Sequence, residues 1–298
     1  MRWQGNRESD NVEDMRDDPG GGGGGGPGLS FGGRGIGLGS IAVALVASYF
    51  LGVSPVTVLN LLSGGGGVPT QSHPSAPRQA HTPANDEQTR FVRTVLADTE
   101  DVWRDLFKQA GGSYRDPKLV LFRGSIPTAC GRGESATGPF YCPGDQKVYI
   151  DLDFYDVMRT RLGAPGDFAQ AYVIAHEVGH HVQNLLGTSR KVDAMRERVS
   201  PVQYNALSVR LELQADCYAG VWANHAQQAR QIVEAGDVDE ALNAASQIGD
   251  DTLQRNASGH VSPESFTHGT SRQRVTWFKR GMDSGDMKQC DTFARGAI

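Results

Sequence analysis

The sequence lacks several features that would place it at once. Its four cysteines form no CxxC pair, which argues against a cysteine-built zinc site and against a thioredoxin-type redox motif. It has no basic excess: 29 Lys and Arg stand against 34 Asp and Glu, a net charge of -5, so nucleic acid is not favoured as a partner. No internal repeat is present. Between residues 35 and 72 there is no Asp, Glu, Lys, Arg or His. No lipid-accepting cysteine follows that stretch. The segment before it is long and acidic where a cleaved signal peptide has a short basic one.

What is present divides the chain into four parts. Of 38 glycines, 19 fall in residues 1–67, with unbroken runs over 20–26 and 64–67, so the first part differs in kind from the rest. Residues 1–34 are polar and acidic (Glu13, Asp14, Asp17, Asp18) and then glycine-rich. Such a segment buries too little apolar area to offset its ordering entropy, and it is expected to be a disordered tail. Residues 35–62 are apolar and uncharged, long enough for the roughly 20 residues that cross a bilayer core. They are expected to be one transmembrane anchor, which Pro55 ends or kinks; a buried core helix is the other reading. Arg34 flanks the run and the next arginine is Arg78. The positive-inside rule then puts the N-terminus in the cytoplasm and the bulk of the chain in the periplasm or outside the cell, at the inner membrane. Residues 63–85 form a Gly/Pro-rich linker, and residues 86–298 a folded domain large enough for its own core.

Within that domain, apolar spacing predicts a helix over 86–110, a strand over 118–122 and a turn-rich approach over 139–142. Alternation predicts a half-buried strand over 147–154, offering an open edge to an extended peptide. Helices are expected over 168–186, 204–231, 238–248 and 270–282, with another opening at Ser262 or Pro263. Helix, strands, then helices make an α+β class.

The chemistry lies in Ala175-His176-Glu177-Val178-Gly179-His180-His181. Residues four apart share a helix face, so the HExxH imidazoles of His176 and His180 can bind one metal ion. Glu177, about 100° round the helix, lies beside the ion and off it, as a general base requires. Chance supplies roughly 0.01 such motifs in a chain of this composition. Gly179 costs the helix roughly 1 kcal/mol against alanine, which points to another backbone passing close by. His181 points away from His180 and cannot join the same site.

A catalytic zinc takes a third protein ligand. The HExxHxxGxxH class is excluded, because Gln183 and Leu186 occupy the glycine and third-histidine positions. A glutamate on a later helix is the other route. Glu212 and Asp216, at i and i+4, offer a zinc ligand and an acceptor for the free N–H of His176, with Ala215 leaving room for two helices to pack. Alone, that pair would equally suit a solvated helix face. His268 is a candidate donor to the developing oxyanion, or a helix cap.

These residues resemble the zinc metallopeptidases with a glutamate ligand, which combine HExxH with a downstream ExxAD. Within them the chain is similar to a bacterial family of neutral zinc metallopeptidases. The resemblance covers Met1 to Gly5, Asn11 to Asp14, the glycine tract, the single anchor, Gly138 to Pro143, Val148 to Leu152, His176 to Gln183 and Glu212 to Gly220. It implies a zincin-like domain with a small antiparallel sheet and an active-site helix pair. A more distant resemblance is to membrane zincins whose Thr-His-Pro precedes an arginine. Thr267, His268 and Arg274 have that spacing, with Gly269 in place of the proline.

The resulting expectation is a membrane-anchored, zinc-dependent endopeptidase acting on proteins or peptides. His176, His180 and Glu212 hold the ion, and Glu177 takes a proton from the water it activates. Two alternatives are a zinc-retaining, membrane-tethered binding or chaperone-like module and a zinc hydrolase of non-peptide amides. Cys130 with Cys142, and Cys217 with Cys290, are candidate disulfides, which persist only in an oxidising compartment; four cysteines allow three connectivities.

Overall fold

The computed structural model describes residues 1–16, 86–134, 138–160 and 162–298. The expected anchor, the linker and the rest of the tail lie outside these residues. Among the described residues no helix is long and apolar enough to cross a membrane.

The architecture is α+β with small sheets, as the order of elements implies. Strand β1 (Val12–Asp14) comes first, then helix α1 (Glu87–Gln109) and strand β2 (Lys118–Phe122). The ribbon β3 (Ser125–Thr128) and β4 (Gly131–Glu134) precedes β5 (Phe140–Cys142) and β6 (Lys147–Asp151). Helices α2 (Asp153–Thr160), α3 (Asp167–Leu186), α4 (Thr188–Asp193), α5 (Pro201–Arg230), α6 (Asp237–Gln247), α7 (Asp250–Ser258) and α8 (Ser271–Ser284) follow.

The main sheet has the order β1-β2-β6-β5, and it corrects two expectations. It is mixed and not antiparallel: β1 with β2 and β2 with β6 run parallel, and only β5 with β6 is antiparallel. Side-chain alternation carries no strand direction. Direction is set here by the connections, because β2 reaches β6 through the β3–β4 ribbon and β5, whereas β5 turns straight back onto β6. Second, β6 has no open edge, being flanked by β2 and β5. It ends at Asp151, where α2 begins two residues on. Both faces of β6 are covered. Val148 and Ile150 join the main core, while Tyr149 stacks on Phe140 at 4.9 Å in a smaller cluster with Val120, Phe122 and Ile126.

A third correction concerns the start of the chain. Residues 1–16 are not a disordered tail. Val12 pairs with Leu119 and Asp14 with Leu121, Trp3 is buried edge-on to Phe91 at 5.4 Å, and the Met1 ammonium lies 2.6 Å from Asp167. Composition misleads because few apolar residues suffice when the backbone joins an existing sheet and polar side chains find buried partners. Ser9 donates to Glu100 at 2.5 Å, and Asn11 to the same oxygen at 2.8 Å.

Helix α3 is buried along most of its circumference, from Phe168 to Val182, which explains its apolar composition. Among the elements that cover it are α1, α5 and α6. Gly187, at φ 78°, ends it in the left-handed conformation that glycine adopts without strain. Helix α5 opens with a capping box of Ser200 and Gln203 around Pro201. It packs along α8 at a contact of small residues. A Cβ on Gly220 would overlap the Phe278 carbonyl, and one on Gly281 the Cys217 carbonyl. The disulfide Cys217–Cys290 closes the end of this pair, and Cys130–Cys142 joins the ribbon to β5.

Candidate active site

The site forms where α3 and α5 cross. A Cβ on Gly179 would lie 3.0 Å from the Ala215 carbonyl oxygen, 3.1 Å from its Cα and 3.3 Å from its Cβ. A glycine on one helix and an alanine on the other therefore set how closely the backbones approach. That approach carries Glu212 to the imidazoles of α3. His176 Nε2 lies 3.2 Å from Glu212 Oε2, and His180 Nε2 lies 3.6 Å from Glu212 Oε1. The two rings meet edge-on with centroids 4.8 Å apart. One potential ligand atom from each of the three residues lies within 4.8 Å of the others.

The far side of each imidazole is engaged. His176 Nδ1 lies 2.8 Å from Asp216 Oδ1, and His180 Nδ1 lies 2.9 Å from Gln183 Oε1. Both acceptors hold a proton on Nδ1, so Nε2, which faces Glu212, is the nitrogen that gives up its proton to bind a metal. Gln183 is itself fixed, its amide donating to the Leu211 carbonyl at 2.6 Å. Asp216 is fully buried and accepts from three residues: Tyr172 Oη at 2.5 Å, His176, and Arg274, whose Nε reaches Oδ2 and Nη2 reaches Oδ1, both at 2.9 Å. Arg274 comes from α8 and is buried too. Three helices thus meet at one carboxylate directly behind His176.

Electrostatics separate the two glutamates of the site. Burial pushes the Glu177 carboxyl up from its ordinary value, against the pull of His180 and His176. Burial also pushes the Glu212 carboxyl up, but His180 and His176, with His268 beyond them, outweigh it and hold it well below the usual carboxylate range. One carboxylate is therefore kept as a stable anion and its neighbour is disposed to take a proton. Burial lowers the imidazoles, yet Asp216 and Glu212 raise His176 overall, and Glu212 and Glu177 raise His180 to about 9.

The other sequence candidates fall as follows. His268 does not cap α8; Thr270 does, in a box with Gln273. His268 is held on the loop before α8 by Asp250, which accepts its backbone N–H at 2.6 Å and faces its Nδ1 at 3.2 Å, while its side chain stays 41% exposed. His181 is turned away from His180, between the Arg115 carbonyl at 2.6 Å and Tyr141 Oη at 3.0 Å. Its Nε2 donates to that carbonyl and its Nδ1 accepts from Tyr141, which in turn accepts from Asn184, so His181 and Asn184 pin β5 against α3. Gln183 and Tyr172 escape the sequence reading as parts of the site. Their spacing from the histidines (three after His180, four before His176) is the signal that could have found them.

Two imidazole nitrogens and one carboxylate, with both histidines oriented from behind, fit the donor set of a catalytic zinc centre. No solved structure matches the chain. Among curated proteins, the uncharacterized protein YpfJ of Escherichia coli is 53% identical over 296 residues, covering 99% of each chain. The uncharacterized protein Rv2575 of Mycobacterium tuberculosis is 40% identical over 222 residues, 70% of this chain and 73% of its own. The family described as "Putative neutral zinc metallopeptidase" matches residues 1–293. With nearly its whole length matched, the chain belongs to that family.

Proposed function

We propose that the protein is a membrane-associated, zinc-dependent endopeptidase that hydrolyses peptide bonds in protein or peptide substrates. The observation that carries this reading is the convergence of His176, His180 and Glu212, with the disfavoured anion of Glu177 beside them. In it, His176, His180 and Glu212 hold the ion, and Asp216 and Gln183 orient the two imidazoles. Zinc bound there would supply Lewis acidity to the scissile carbonyl and to water, whose pKa it lowers toward about 7. Glu177 accepts the proton of the attacking water at its carboxylate and returns it to the leaving amine, a role its raised affinity for a proton supports. His268 is the proposed donor to the developing oxyanion. With β6 enclosed, an extended substrate adds to β5, the end strand of the sheet, which Tyr141 ties to the catalytic helix.

The apolar run over 35–62 supports attachment to a membrane, and the two disulfides support an oxidising compartment for the domain. The detergent-solubilised full chain is expected to bind one zinc ion per molecule and to cleave a denatured protein. Glu177→Gln is expected to keep the zinc and lose the cleavage. Full activity in that variant overturns the assignment.

A further inference from the structure

The folded domain contains residues from both ends of the apolar stretch. Strand β1 is hydrogen-bonded into the sheet, and beyond it Met15 N–H donates to the Leu121 carbonyl at 2.8 Å. Upstream, Arg2 N–H donates to the Ile232 carbonyl at 2.8 Å, just past α5, and Arg7 reaches the Ala97 carbonyl at 2.7 Å. Arg16 and Asp86 are the described residues on either side of 17–85, and they are bonded to each other. Arg16 Nη1 lies 2.9 Å from Asp86 Oδ2, Nη2 lies 2.9 Å from Thr89 Oγ1, and the same guanidinium holds Asp14 at 2.6 Å. The Arg16 side chain is 4% exposed, so this is a built joint and not a loose surface pair.

One passage through a bilayer would put Arg16 and Asp86 on opposite sides of a hydrocarbon core about 30 Å thick. The ion pair leaves no room for that separation. Two helical passages would need about 40 apolar residues, and the apolar part of the uncharged run, 35–62, is shorter. We infer that residues 1–16 and the 86–298 domain lie on the same face of the membrane, so that no single crossing separates them. This rests on the proposed membrane association and replaces the single crossing with a cytoplasmic N-terminus.

The test uses the full chain in the membrane of a Gram-negative cell. The four native cysteines are paired, and each introduced cysteine is read as labelling above that of the parent chain under the same conditions. Asp10→Cys reports the N-terminal segment and Lys279→Cys the domain; both positions are exposed. Gln4→Cys is a second N-terminal reporter should Asp10→Cys misfold. Spheroplasts are labelled with a membrane-impermeant maleimide before and after permeabilisation. The expected result is that the N-terminal and domain reporters behave alike, both unchanged by permeabilisation or both rising with it. A domain reporter labelled fully from outside, with both N-terminal reporters labelled only after permeabilisation, overturns the inference. Release of the chain from membranes by a carbonate wash overturns the membrane part of it. Zinc content and cleavage of a denatured protein, measured on the same membranes, separate either failure from failure of the peptidase reading.

Discussion

Asp216 joins three things that a ligand set alone does not require: the tautomer of His176, the hydroxyl of Tyr172 and the charge of Arg274. Asp216→Ala leaves a buried guanidinium without its anion. Loss of one partner from a buried pair typically costs about 3–5 kcal/mol, so the variant is expected to unfold at markedly lower denaturant. It should also bind zinc about 10- to 100-fold more weakly, the usual effect of removing the acceptor behind a ligating histidine. Chemical denaturation and zinc competition measure the two effects separately. A second prediction follows from His180, raised to about 9 in the metal-free site by Glu212 and Glu177 against burial. A zinc ligand must be neutral. Below about pH 9 zinc therefore displaces a proton, affinity rises with pH up to that value, and calorimetry in buffers of different ionisation heat should show proton release at neutral pH.

Helices α1, α3, α5, α6 and α8 fall where apolar spacing predicts them, and Asp86, Ser200 and Thr270 cap α1, α5 and α8. Strand β2 is legible for a similar reason, as a short apolar run. Elements that depend on a distant partner are not. β1 and β5 are three residues long and exist only by pairing, and α7, with one buried apolar side chain, has no stripe to read. The same divide runs through the site. HExxH and the spacing of Glu212 and Asp216 are local patterns, and so is Gly179, whose neighbour proves to be Ala215. Gly220 and Gly281 are ordinary singly; their meaning lies in facing each other's helix. Gly281→Ala would drive a methyl into the Cys217 carbonyl. It is expected to lower stability by about 1–3 kcal/mol, as overpacking does, despite the roughly 1 kcal/mol that alanine adds to helix propensity. A variant more stable than the parent in thermal denaturation would contradict that packing.

At the scale of the whole molecule, the cluster of Asp14, Arg16 and Asp86 is one of the ties that connect the N-terminal residues to the rest. Arg16 lowers the Asp14 carboxyl, and Thr89 N–H with Arg16 lowers Asp86 against the opposing effect of burial. Groups lowered on folding stabilise fully above their unfolded values, near 3.9, and lose that contribution as pH falls through the folded ones. Acidification below about pH 4 should therefore release this segment early. Amide exchange in residues 1–16 is expected to accelerate before the helices lose protection.

The position of β1 also bears on how the catalytic domain can be obtained on its own. A chain begun at residue 86, the obvious cut for discarding the apolar run, would strip β2 of β1, one of its two neighbours. It would bare a row of unpaired amides beside Leu119 and Leu121, the kind of edge along which proteins aggregate. Because Arg16 and Asp86 touch, the opposite surgery is available: a few flexible residues in place of 17–85 would keep the edge covered and leave the apolar run behind.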